Sequence, residues 1–167
     1  MKTTIVSSFF VFFALSSSTL AVPVQSPGPA TSAASAGPAQ LVASVSYDKK
    51  YDQGTSSLNT VSCSDGINGL ITEGYSTFNS LPGFPLIGGA PTVDGWNSPN
   101  CGKCYQIHYQ EGKIDNTINM LAVDAAPGGF NLGLQAMNKL TNGMAEQLGR
   151  VQASYSEVDR SLCGFAE

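Results

Sequence analysis

The sequence predicts a small β-barrel carrying a few short helices. Three observations predict it: stretches in which apolar and polar residues alternate, one stretch whose period lengthens to that of a helix, and connections rich in Gly and Pro, of which the chain has 18 and 9.

Leu41 to Tyr47, LVASVSY, alternates apolar with small polar residues, as a half-buried strand does. Ile67 to Phe78 has room for a short helix. Cys104 to Tyr109, CYQIHY, alternates again; Glu111-Gly112 supplies a turn, and Thr117 to Val123, TINMLAV, completes a hairpin. Between Asn131 and Gly149 the period changes, with Leu134, Met137, Leu140, Met144 and Leu148 recurring at helical spacing. Asn131 can cap that helix, Asn142-Gly143 interrupts it, and its Leu/Met stripe reads as core. Val151 to Val158 is a last alternating strand. Gly88-Gly89 and Gly128-Gly129 mark tight turns or close backbone approaches, without the strand–helix context of a phosphate loop.

Ahead of this unit, Met1 to Ala21 pairs an early Lys2 with an apolar run and ends in small residues, the layout of a secretory signal. That apolar core is too short for a comfortable membrane span. Residues 22–43 are rich in Pro, Ala, Ser and Gly and carry no charge or aromatic ring, so they read as a disordered pro-segment or linker. The folded unit is expected over residues 44–167, one domain with room for a core. The formal net charge of −4 becomes −5 once Lys2 leaves with the signal, and no Lys/Arg cluster offsets it. Nucleic acid and anionic membrane are poor partners for such a surface.

Cys63, Cys101, Cys104 and Cys163 are an even set in an exported chain, most simply two disulfides. A zinc site would need four ligands, but CxxC occurs once and His108 is the only histidine; no other metal or cofactor motif is present. A redox CxxC would need βαβ context, which is missing. A bond from Cys101 to Cys104 closes a tiny ring worth roughly 2 kcal/mol, whereas two long staples give about 4 kcal/mol each. Loop entropy does not choose between 63–101 with 104–163 and 63–104 with 101–163.

Several blocks then become familiar. VSYD at 45–48 with Tyr51, VSCSDGINGLIT at 61–72, FPLIGGAPTVDGWNSPNCGKCY at 84–105, LAVDAAPGGFNLGLQAMNKLTNG at 121–143, QLGRVQA at 147–153 and a late CGF resemble the cerato-platanin family of small secreted fungal proteins. The resemblance runs from Val45 to Phe165, with the blocks in family order. It implies a six-stranded double-psi β-barrel related to expansin domains, with cysteines paired Cys63 to Cys101 and Cys104 to Cys163. It also implies a fungal wall or extracellular location, a monomer, and a non-enzymatic protein that binds chitin-like or β-glucan oligosaccharides, loosens wall networks as expansins do and elicits host defence.

Glycoside hydrolysis needs two carboxyl groups across the scissile bond. The resemblance places the first at Asp124, in LAVDAA, but the second position, in GGFNLG, is Asn131, and an amide can be neither acid nor base there. Asp48, Asp65 and Asp94 are the other carboxylates near by motif. Many relatives carry His after the first Asp, where this chain has Ala125. What remains suits sugar binding: Asp124 and Asn131 for hydroxyl groups, Tyr47 and Tyr51 for stacking, with Trp96, Tyr105 and Phe130 as further aromatic candidates. Trp96 is expected in the core, and His108 at a sheet position without a special role. Two alternatives stay open: a weak glycoside hydrolase, and a self-assembling surface coat using the apolar loop Leu81 to Gly89, which otherwise serves as a cover over the barrel.

Overall fold

A computed structural model describes residues 40–166; the expected secretory signal and nearly all of the expected 22–43 linker lie outside the described residues. Six strands close into a barrel: β1 (Leu41–Tyr47), β2 (Ile87–Ala90), β3 (Cys104–Glu111), β4 (Ile114–Ala125), β5 (Phe130–Leu132) and β6 (Arg150–Val158), ordered β1-β5-β2-β4-β3-β6 around the ring. β1 runs parallel to β5 and β2 parallel to β4, while the remaining pairs are antiparallel. β1 starts at Leu41, paired with Tyr155, so residues 41–43 belong to the sheet and not to the linker.

The hairpin of β3 and β4 follows the alternation of its sequence. Tyr105, Ile107 and Tyr109 are buried, whereas Gln106 and His108 are half-exposed. Gly112-Lys113 forms its tip, between the Glu111 and Ile114 pair. β4 changes character halfway. Its first half alternates; from Met120 to Asp124 every residue is buried, because loops cover the outer face and bond to its backbone, Cys63 N–H to Val123 O at 3.1 Å and Gly102 N–H to Ala122 O at 2.9 Å.

Two short strands escape the alternation rule. Ile87–Ala90 and Phe130–Leu132 are too brief to show a period, and topology alone makes them strands. Glycine is required in the first: a Cβ on Gly88 would lie 2.4 Å from the Asn131 carbonyl oxygen, so β2 and β5 could not pair at this distance. Gly129, at φ 120°, makes the comparable approach to the Ser44 carbonyl.

Inside the barrel Tyr105, Phe130 and Tyr155 meet edge-on, with ring centroids 4.8 to 6.2 Å apart, beside buried Val45, Ile107, Met120 and Leu132. The disulfides Cys63–Cys101 and Cys104–Cys163 close stretches of 38 and 59 residues, the pairing the resemblance implies. Each contributes about 4 kcal/mol by chain entropy.

The helical stripe forms α1 (Leu134–Leu140) and α2 (Ala145–Leu148), and Ala136, Met137, Leu140 and Ala145 are buried as core. Asn131 does not cap α1. It lies in β5, Gly133 occupies the cap position, and the Asp52 carboxylate reaches in from a distant turn to accept from Leu134 N–H (2.8 Å) and Gln135 N–H (3.1 Å). Residues 67–77 form turns and not a helix: Leu70 N–H and Ile71 N–H bond back to the Cys63 and Ser64 carbonyls, which takes the donors a helix would use. The loop from Leu81 behaves as a cover, with Leu81 buried and Phe84 and Leu86 packed against the core.

Candidate functional site

Gly89 of β2 pairs with Asn131 on one side and with Asp124 on the other, so the barrel sets these two residues two strand spacings apart, roughly 10 Å between Cα atoms. A register shift at Gly88/Gly89 leaves Val123 as an extra residue in β4, which turns Asp124 toward the covering loops.

Asp124 is almost fully buried and saturated. Its Oδ1 accepts from Ser62 N–H (2.9 Å), Ser62 Oγ (2.8 Å) and Ala125 N–H (2.9 Å); Oδ2 accepts from Tyr51 Oη (3.0 Å) and Lys50 Nζ (3.1 Å). Burial pushes the carboxyl upward, but the Ser62 donors, then Lys50 and Tyr51, outweigh it and hold the group below the usual carboxylate range. Burial, reinforced by the Asp124 charge, raises the Tyr51 phenol, which stays protonated as a donor. What meets the outer oxygen of Asp124 is therefore an ammonium and a phenol. A general acid needs the opposite environment, one that keeps a proton on the carboxyl near neutral pH.

Tyr51 is not a stacking surface. It is 1 % exposed, its ring packs on Phe78 at 6.2 Å and under Lys50 Nζ at 4.7 Å, and its hydroxyl anchors Asp124. Tyr105 and Phe130 are likewise enclosed. Trp96, expected in the core, is 64 % exposed.

Asn131 and Tyr47 come together elsewhere. With Ser46, Asp48, Lys49, Leu148, Gly149 and Arg150 they line an open trough of about 930 Å³. A smaller recess of about 180 Å³, shared between Ser46, Asn131, Arg150 and residues 126–129, continues it. Ser46 Oγ donates to Asn131 Oδ1 at 3.2 Å, which fixes the amide, and among the described residues nothing accepts from Asn131 Nδ2. Arg150 is held by one bond to Ser44 Oγ at 2.6 Å, leaving the rest of its donor fork open. Asp48 caps its own turn by accepting from Lys50 N–H at 2.9 Å, and Lys49 pairs with Glu146 at 2.7 Å on the rim. Sequence reasoning missed Ser46 and Arg150. Their signal was the parallel pairing of β1 with β5 and the return of β6, which no local pattern carries.

With barrel, staples and trough in place, comparison with known proteins decides the family. The Cerato-platanin family profile matches residues 43–165. The chain belongs to the cerato-platanin family. It is 61 % identical over 120 residues to "Allergen Asp f 15" of Aspergillus fumigatus, covering 72 % of this chain and 76 % of the allergen. Among solved structures, cerato-platanin 1 from M. perniciosa superposes with a TM-score of 0.70 at 49 % identity, covering 72 % of this chain and 98 % of that one. The solution structure of the fungal elicitor Cerato-Platanin gives 0.64 at 39 % identity, covering 72 % and 95 %.

Proposed function

We propose that this cerato-platanin is a secreted, non-catalytic wall protein that binds chitin-like or β-glucan oligosaccharides in the trough at Asn131 and loosens polysaccharide contacts without cutting bonds. The observation that carries this reading is the division of labour across Gly89. The carboxylate of Asp124 is closed off by five donors, whereas the Asn131 amide, two strands away, keeps its NH₂ available beside the donors of Arg150 and the ring of Tyr47. Such a surface can donate to sugar hydroxyl groups and offer an aromatic edge, which is the chemistry of a shallow saccharide site.

Cleavage has no support in the same geometry. An ionised, saturated carboxylate neither gives a proton nor reaches an anomeric carbon, and the position across from it is an amide. Export follows from the signal-like first 21 residues and agrees with two disulfides, which persist in oxidising surroundings. The names allergen and elicitor carried by relatives support recognition by a host immune system as a consequence of secretion.

Titration of the labelled protein with a chitin hexamer and with a β-glucan hexamer, followed by amide shift mapping, tests the reading. Shifts are expected at Ser46, Tyr47, Asn131 and Arg150. A map with no change at these four residues for either oligomer overturns the trough.

A further inference from the structure

The exposed tryptophan is the least expected side chain in the molecule. Trp96 is the chain's single Trp, and a ring of that size left 64 % in water forfeits burial that the barrel could have supplied. It is nonetheless held in place. Its indole N–H donates to Asp65 Oδ1 at 2.7 Å, across two loops that are locked together. Asn68 N–H donates to Asn97 Oδ1 at 3.0 Å, Asn68 Nδ2 donates to Asn97 O at 2.9 Å, and the Cys63–Cys101 disulfide ties the roots of both loops. Ile67, one residue before Asn68 on the same pair of locked loops, is 86 % exposed.

Asp65 supplies charge beside that ring. The indole N–H, then its own backbone and the Ser64 hydroxyl, hold its carboxyl below the usual range. Among the described residues no Lys, Arg or His pairs with Asp65, nor with Asp94, exposed on the Trp96 loop. A flat apolar ring fixed next to an uncompensated anion is complementary to a ligand with an apolar face and a cationic group projecting from its edge. A pyranose ring presents its axial hydrogens as that face, and a free amine at C2 is that cation. Acetylation of that amine removes the charge and adds a planar acetyl group in its place.

We propose that Trp96, Asp65 and Ile67 form a second saccharide platform, separate from the trough and selective for β-linked glucosamine oligomers over their N-acetylated counterparts. The stack on Trp96 supplies most of the affinity and Asp65 the preference. This rests on the saccharide-binding reading for the ligand class alone, since no residue is shared with the trough.

Because Trp96 is the single indole, its fluorescence reports on this platform only. Titration of the full mature chain with a glucosamine tetramer in mildly acid, low-salt buffer should shift its emission, with an affinity roughly five-fold above that for the N-acetylglucosamine tetramer. Asp65→Asn keeps an acceptor for the indole and should bring that ratio to about one. Trp96→Ala, followed at the Asn97 amide, should weaken both ligands about ten-fold. An unresponsive indole, equal affinity for the two tetramers, or an equal response to a lysine tetramer overturns the platform. Amide shifts at Asn131 in the same titrations report the trough independently. Shifts there with a silent Trp96 sink the platform and leave the trough standing; a responsive Trp96 with a silent Asn131 does the reverse.

Discussion

Asp124 and Asp65 are two carboxylates of one small barrel, both held ionised by hydrogen bonds, and they do opposite things. Asp124 is buried and every lone pair that matters is occupied: three donors on one oxygen, two on the other. Asp65 is exposed, takes the Trp96 N–H and the Ser64 hydroxyl on one oxygen, and among the described residues has no cation paired with it. A depressed carboxyl pKa is therefore no guide to function on its own. The useful question is whether the charge is already answered by the protein, as at Asp124, or left for something outside, as at Asp65.

The two regions share one strut, and breaking it has the largest expected effect. Cys63 bonds through its N–H to Val123, next to Asp124, and through its sulfur to Cys101, at the root of the Trp96 loop. Replacing Cys63 and Cys101 together by Ala should lower unfolding stability by about 4 kcal/mol in denaturant titrations. The same pair of substitutions should broaden the Trp96 indole resonance while leaving shifts at Asn131 in place.

Asp124→Ala comes next. It strands the Lys50 ammonium, the Tyr51 hydroxyl and two Ser62 donors, for an expected loss of about 3 kcal/mol. Asp65→Ala, at an exposed position, should stay within about 0.5 kcal/mol of wild type. Equal losses would erase the distinction between a closed and an open carboxylate.

Acid sharpens it further. The folded-state pKa of Asp124 lies below its unfolded value, so the stability it contributes is complete above the unfolded value, near pH 4, and is lost as pH falls through the lower, folded one. Wild type should therefore lose stability below about pH 4, and Asp124→Asn should flatten that part of the curve when midpoints are measured across pH. The smallest effect is at the trough. Asn131→Ala removes one neutral donor and should weaken chitin-oligomer affinity roughly five-fold, with stability nearly unchanged.

Much of the barrel was legible because four of its strands carry their own period. LVASVSY, CYQIHY, TINMLAV and VQASYSEV each announce a strand, and the Leu/Met stripe announces the helices. What the sequence could not show is what topology creates. Ile87–Ala90 and Phe130–Leu132 are too short for a period, and Asn131, which looks like a helix cap, is a strand residue whose capping task falls to Asp52, about 80 residues away in the chain. The candidate site was half legible. The family resemblance pointed to Asp124 and Asn131, but only the fold shows that Tyr51 is spent on anchoring Asp124, and that Ser46 and Arg150 stand beside Asn131. Trp96 defeats the usual burial rule because a hydrogen bond to Asp65, and not packing, fixes it.

The most direct test of the proposal that this protein grips sugar chains and leaves them whole is the release of reducing ends from insoluble chitin and β-glucan during long incubation, wild type beside Asp124→Asn. The expected result is no release above buffer for either protein, under conditions where both pellet with the polymer. Steady release by wild type that Asp124→Asn abolishes would make Asp124 a catalytic group and contradict the account.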